Sequence, residues 1–572
     1  AAGPRGGAVT SENGAPLAED GLVPYPAEFA ERYRRAGVWG TRTIAQEFRA
    51  TADAYPDRPA VVTPAGQLTY AELDRRTDRI ALGLAELGLR PGERVLLQLT
   101  NHAGSVLVWY GLLKAGLVPV STLVQYRRHE LAETARHAAP AAHLLEPGYA
   151  GHDLLQLAAE VAAGQPTLRY LLTLGAGPTP PGAVAFSSLE ARGPADPAAA
   201  RAGVERIQQS IPADALAALQ LSGGTTSTPK LIPRRHAEYW YNSRAYAEAI
   251  GLEAADRVAH LLPVVHNAAI VCGLHAAHSA GAAFAVAPHD EQQLLALARQ
   301  GTVTHMMISP PMAKAVLANA ELKAALGGLR VLTWVLGAMP AELIEAFETG
   351  SCRVTQMFGM AEGMCMFTPA AAPAQLRLST VGTPISGLDE VRVYAPGTER
   401  QVEPGQPGEL CCRGPYTIRG YYRAPERNLE AFTADGFYRT GDIVVEVPAA
   451  GPGRFFALAD RIKDLVNRGG EKINAAEIEE LLACHPAIER AAIVAMPDER
   501  LGERCCAFVV LAAGAAPLDV AALCDYLSGL GVAKFKYPER VEIRAQLPMT
   551  SVTKLNKAAL RAEIAELLAA GR

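Results

Sequence analysis

Surplus charge of one sign is what this chain most lacks: 54 Lys and Arg stand against 59 Asp and Glu in 572 residues, a formal net charge of -5. No long basic tail is present, which argues against nucleic acid or an anionic membrane as the main partner. Metal-ligand spacing is missing too. The nine cysteines are scattered, with Cys411–Cys412 and Cys505–Cys506 adjacent and no C-x-x-C, so reduced thiols in the cytoplasm are expected. The first stretch, "AAGPRGGAVTSENGAPLAEDG", has no apolar segment and reads as a disordered leader over 1–21, not a signal peptide. A single apolar run, Ala268 to Pro288, reaches bilayer length, but it contains His275, His278 and Ser279. It predicts a buried helix followed by a strand.

Apolar residues make up 49% of the chain and charged residues 20%, ordinary values for a globular protein with a large core. From about Leu22 to Ala459 short apolar runs alternate with helical patterns. "PAVVTP" and "ERVLLQL" predict strands, and "TYAELDRRTDRIALGLAELG" and "AELIEAFET" predict amphipathic helices. Such alternation points to layered α/β sheets, largely parallel. The Ala/Pro-rich piece at 175–203 is expected to be a surface excursion. After Asp460 the pattern becomes β-α-β and predicts a small α+β domain over 460–572. Asn474 and Glu477 give its helix a capping-box-like start, and Ile478, Leu481 and Leu482 supply the inner face.

Five polar stretches interrupt these patterns. "LSGGTTSTPKLIPRRH", Leu221–His236, joins glycines and hydroxyls to Lys230, a composition that wraps phosphate oxygens. It is not a Walker loop, because Pro229 precedes the lysine and Leu231 follows it; its flanks predict a hairpin. "MFGMAEG" sets Glu362 in a glycine-rich turn, and "YRTGD" ends on Asp442. "DRIKDLVNRGGEK" gathers Arg461, Lys463, Arg468 and Lys472 around Gly469 and Gly470. "PMTSVTKLNKAAL" carries Lys554 close to the end. Taken singly, each also suits a solvated surface turn.

In this order the stretches resemble the adenylate-forming superfamily of acyl- and aryl-CoA ligases, peptide-synthetase adenylation domains and luciferases. The likeness runs from about Pro24 onward and is greatest to the stand-alone enzymes that adenylate 2,3-dihydroxybenzoate or salicylate. "YPAEFAERYRRAGVW", His266–Asn267, "RGPYTIRGYY" and "NRGGEKINAAEIE" add to it. The resemblance implies a large α/β domain over 22–459, a mobile lid over 460–572 and a hinge near Lys463. It implies that Ser222, Gly223, Gly224, Thr225, Thr226 and Lys230 hold the outgoing phosphates of ATP, with Glu362 on Mg²⁺. Gly337, Ala338, Met357, Phe358 and Gly359 would line the adenine slot, while Asp442 and Arg461 would hold the ribose. Lys554 would reach the substrate carboxylate and α-phosphate, and Gly470 and Lys472 would lie near the thiol-transfer face.

The same resemblance assigns the acid pocket. Asn267 would bond a substituent beside the carboxylate, and His266, counted with Lys554 and Glu362 as catalytic, would shape the floor. No Asp lies between Leu261 and Leu274 to pair an amino-acid ammonium. Ala268 stands where a Tyr is usual, Cys272 where a Ser is usual, and Leu336, after Val335, where a Gly is usual. Ser227 and Thr553 also replace common glycines. These departures imply a reshaped pocket for a substituted or bicyclic 2-hydroxy or 2-amino aryl acid. The acyl-AMP would pass to the phosphopantetheine thiol of a separate carrier protein, or to free coenzyme A. A binding-only relative is the remaining alternative.

Overall fold

The computed structural model describes residues 21–175, 179–222, 230–335, 339, 341–348, 350–447, 453–461, 465–548 and 555–571. Two parallel sheets build the larger part. The first has nine strands, and its middle six (Arg353–Gly359, Val331–Trp334, His305–Ile308, Arg257–His260, Ala283–Val286, Pro59–Thr63) are parallel throughout. Seven strands form the second, around Arg94–Gln98, Val118–Thr122 and Ala142–Leu145. Strands covered on both faces need continuous apolar sequence, which is why "AVV" and "VLLQ" are buried throughout. The antiparallel hairpin Leu216–Ser222 and Lys230–Arg235 closes one edge of the second sheet.

Local sequence sets the helices as well. Thr69 starts Tyr70–Glu86 with a reciprocal cap: its Oγ1 accepts from Glu72 N at 3.2 Å, and Glu72 accepts from Thr69 N at 2.8 Å. Leu73, Ile80 and Leu84 fall on the face that this helix buries. The stretch at 175–203 departs from expectation. Instead of a surface excursion it holds a strand, Ala183–Ala185, and the helices Phe186–Arg192 and Pro197–Gln209. Phe186, Leu189 and Val204 lie in the main core. Proline at the start of the second helix suits that position, since the N–H it lacks has no helical partner there.

The apolar run from Ala268 folds as a buried helix and then the strand Ala283–Val286. Residues Ala269–His275 within the helix wind as a π-helix. Its histidines are buried because each has a partner. Trp109 Nε1 donates to His275 Nε2 at 2.9 Å, and His278 bonds Tyr110 Oη at 2.7 Å and Ala60 O at 2.9 Å.

A four-stranded antiparallel sheet ends with Phe455–Arg461. The next strand, Leu465–Arg468, already belongs to a separate five-stranded sheet, completed by Glu471–Asn474, Gly502–Leu511, Ile488–Asp498 and Arg540–Ile543. Helix Ala475–Ala483 buries Ile478 and Leu482 fully and Leu481 partly. Strand pleating sends Cys505 into one small core and Cys506 into another, so the adjacent thiols face apart. All nine cysteines are free.

Candidate active site

One cavity of about 460 Å³ opens between the sheets and is capped by the five-stranded unit. The hairpin leads into it. Ser222 pairs across the ladder with Lys230, a buried residue whose Nζ lies 5.3 Å from the centre of the Tyr421 ring. Tyr421 Oη donates to Glu362 Oε1 at 2.8 Å, so one tyrosine links the hairpin lysine to the buried carboxylate. The loop that carries Glu362 is fixed from two sides. Arg234, fully buried, donates to Ala361 O at 2.7 Å and pairs with Glu238 at 2.5 Å. Gly363 has φ +121°, and a Cβ there would stand 1.8 Å from Tyr416 O. Only glycine permits that approach.

Asp442 lines the same space, half-buried, and its register partner across the antiparallel ladder is Arg461. Met357, Phe358 and Gly359 line the same cavity as Asp442 and Glu362. Met357 Sδ is 3.8 Å from Cys272 Sγ. A residue expected beside adenine therefore touches one expected beside the aryl ring.

On the inner side lie Asn267, Ala268, Val271, Cys272, Met307 and Val335. Apart from Asn267 this is a soft, apolar wall with small side chains at 268 and 272. Burial pushes the Cys272 thiol pKa well up, so the group is a neutral S–H and no nucleophile. Asn267 is set by a relay: Gln220 Nε2 donates to Tyr239 Oη at 3.1 Å, and Tyr239 Oη donates to Asn267 Oδ1 at 2.9 Å. The carboxamide oxygen is thus occupied from behind, which leaves the Asn267 N–H₂ to donate toward the cavity.

His266 is enclosed by protein yet open to solvent through the cavity. Desolvation, with the Lys472 charge second, lowers its pKa to about 4. Its Nδ1 accepts from Ala268 N at 3.2 Å, so in the neutral ring the proton sits on Nε2. The five-stranded unit contributes Gly470, Glu471, Lys472 and Phe535 to the lining. Burial lifts the Glu471 carboxyl to about 7, against the pull of Arg468 and Lys536.

Gly223, Gly224, Thr225, Thr226, Leu336, Gly337, Ala338, Lys463 and Lys554 lie outside the described residues, as do Ser227 and Thr553. Sequence reasoning missed Gln220 and Tyr239, and it gave no role to Arg234 and Tyr421, which stand within the quoted "LSGGTTSTPKLIPRRH" and "RGPYTIRGYY". Nothing in "AEYWYNS" sets Tyr239 apart from Tyr241, and only contact across the fold does so.

No group of three or more His, Cys, Asp or Glu suited to a metal occurs among the described residues. A lone buried carboxylate, linked through Tyr421 to the hairpin lysine, nevertheless fits Mg²⁺, which takes one or two carboxylates and draws its other ligands from water and substrate phosphates. No helix among the described residues is long and apolar enough to cross a membrane.

Comparison with known proteins shows the family. Residues 48–422 match the AMP-binding enzyme family and residues 477–554 match the AMP-binding enzyme C-terminal domain. The 2,3-dihydroxybenzoate-AMP ligase of Bacillus subtilis is 37% identical, over 96% of this chain and 99% of its own. The 2-hydroxy-7-methoxy-5-methyl-1-naphthoate–CoA ligase of Streptomyces carzinostaticus is 36% identical, over 96% of this chain and 98% of its own. The apo structure of MbtA from Mycobacterium smegmatis superposes with a TM-score of 0.68 at 36% identity, covering 95% of this chain and 99% of that one. The chain therefore belongs to the AMP-binding, adenylate-forming enzymes, in the branch that holds the aryl-acid-AMP ligases.

Proposed function

We propose that the protein condenses a substituted or bicyclic 2-hydroxy aryl acid with ATP to an aryl-AMP, releasing pyrophosphate. The acyl group then passes to the phosphopantetheine thiol of a separate carrier protein. One observation carries the reading: a single cavity joins the soft apolar wall beside Asn267 to the polar end with Lys230, Glu362 and Asp442. An acid and a nucleotide bound there would meet without crossing solvent.

The chemical problem is charge, since a carboxylate must attack an anionic phosphorus. Lys230, at the mouth of the hairpin, would hold the leaving phosphates with residues 222–226. Asp442 and Arg461 would grip the ribose, and Gly337 and Ala338 would face the base with Phe358. Lys554 would serve as a positioned charge between the carboxylate and the α-phosphate. Glu362 would hold Mg²⁺, which when bound neutralises pyrophosphate as it leaves. His266, uncharged at neutral pH, presents Nε2–H at the cavity wall without adding a second cation. For transfer, the hinge near Lys463 would bring the thiol to the cavity beside Gly470 and Lys472, a reading supported by both residues lining it.

The donor relay behind Asn267 favours an ortho group that accepts a hydrogen bond, hence hydroxyl over amino. The naphthoate relative and the small side chains at 268 and 272 support a bicyclic ring. That relative is also a CoA ligase, which favours free coenzyme A as the second reading of the acceptor. ATP–pyrophosphate exchange against aryl, amino and fatty acids tests the assignment, followed by presentation of coenzyme A and a phosphopantetheinylated carrier protein. Exchange with amino or fatty acids alone would refute it.

A further inference from the structure

The five-stranded unit is held against the large domain by a compact set of buried contacts. Glu130 sits in the first turn of helix Arg128–Ala138, where its Oε2 caps Arg127 N at 2.9 Å. Its Oε1 reaches across the interface to Ala533 N at 3.0 Å and Lys536 Nζ at 3.2 Å. Lys536 also bonds Glu477 of its own unit at 2.6 Å. Glu130 and Lys536 are 4% and 6% exposed, so neither is hydrated while the units are joined.

Further contacts surround this ion pair, among them His129 Nε2 3.8 Å from Glu477 Oε1 and Lys536 Nζ 5.6 Å from the centre of the Tyr126 ring. His129 N donates to Gly531 O at 3.3 Å, and the Tyr126 and Phe535 rings stack with centroids 6.4 Å apart. Gly531, at φ +77°, lets the backbone come so near that a Cβ would stand 3.2 Å from Arg128 Cβ. Burial alone would lower the Lys536 pKa; Glu130 and then Glu477 overcome it and hold the ammonium charged.

If the unit swings away, Lys536 keeps Glu477 but loses Glu130, which stays behind on the other domain. The contact is therefore specific to the orientation that puts Gly470–Lys472 over the cavity. We propose that Glu130 and Lys536 form an interdomain latch that selects this orientation and so sets the rate of acyl transfer to the thiol independently of adenylation. Both are positioning residues and neither lines the cavity. The kinetic half of the inference rests on the proposed two-step reaction; the structural half does not.

The test uses the full chain with Glu130→Gln, which removes the charge and leaves one acceptor oxygen for either Arg127 N or Ala533 N, together with Lys536→Met and Lys536→Arg. Hydrogen exchange is followed in peptides spanning 127–133 and 529–536. Glu130→Gln and Lys536→Met should exchange at least tenfold faster there, with strand 502–511 unchanged, and Lys536→Arg should restore protection. In parallel, transfer to coenzyme A and to carrier protein is compared with ATP–pyrophosphate exchange, using 2-hydroxy-1-naphthoate and salicylate. Transfer should drop about tenfold, equivalent to about 1.4 kcal/mol of orientation preference, with pyrophosphate exchange held within about twofold. Unchanged protection, or transfer and pyrophosphate exchange changing in equal measure, would overturn the latch. Absence of pyrophosphate exchange with either acid in the unaltered protein would count against the proposed substrate, while protection would still decide the latch.

Discussion

Replacing Tyr239 by Phe removes one oxygen from the centre of the acid pocket's polar relay. Phe keeps the ring in place beneath the Arg234 guanidinium, 4.5 Å from its centre. What is lost is the hydroxyl that accepts from Gln220 and donates to Asn267. Gln220 and Asn267 are 2% and 9% exposed, so water reaches them only through the cavity. Two buried polar groups without partners cost about 1–3 kcal/mol each, and the urea midpoint should fall accordingly. The consequence for specificity is separate. With its oxygen released, the Asn267 carboxamide is free to turn over and present oxygen, an acceptor that suits a 2-amino acid. The kcat/KM ratio of salicylate to anthranilate, measured by pyrophosphate exchange, should fall about tenfold, or about 1.4 kcal/mol of lost discrimination. A folded, active Tyr239→Phe enzyme with an unaltered ratio would refute the relay, as would an unaltered enzyme that prefers anthranilate.

Three other outcomes are expected. Ala268→Tyr fills the soft wall and should lower kcat/KM for 2-hydroxy-1-naphthoate at least tenfold while salicylate keeps most of its rate, read by the same exchange assay. Lys554→Ala should abolish pyrophosphate exchange yet still transfer the acyl group from a supplied aryl-AMP to coenzyme A; equal loss of both steps would argue that the lysine is structural. Burial lowers the pKa of His143, His236 and His260 to about 3 and that of His278 to about 4. These values lie below the unfolded 6.5, so the unfolded chain binds more protons and stability falls as pH drops through that window. Between pH 7.5 and 5.5 each such histidine removes about 1.4 kcal/mol, and His266 and His275, lowered likewise, act in the same sense; Asp389 and Glu471, both raised to about 7, return about 2 each, so the urea midpoint should fall.

The layered sheets were legible because parallel strands covered on both faces need unbroken apolar sequence, and "PAVVT" and "RVLLQ" have it. The hairpin was legible from its flanks. The two helices between Phe186 and Gln209 were not, because the Pro and Gly that mark a loop here mark helix boundaries, and their apolar face has meaning only beside Tyr70–Glu86. Part of the cavity's polar end could be named from motifs, since Lys230, Glu362 and Asp442 each stand in a quoted stretch and line the cavity together. Gln220 and Tyr239 leave no local signature, and "RGPYTIRGYY" does not single out Tyr421; their importance comes from which atoms they meet across distant segments.

The π-helical stretch Ala269–His275 has an evolutionary consequence. Such a segment amounts to an α-helix that has taken in an extra residue. Deleting one residue between Asn267 and His275 would let the helix relax to ordinary pitch, with the turns on either side kept in phase, and change which side chains of the shortened stretch face the cavity. Val271 and Cys272 would then turn from the cavity and others would replace them, while the sheets, the hairpin and the nucleotide end stayed in place. A single-codon deletion or insertion there could redraw the ring-binding wall in one step, a shorter route to a new acid than the several point substitutions needed to reshape it side chain by side chain.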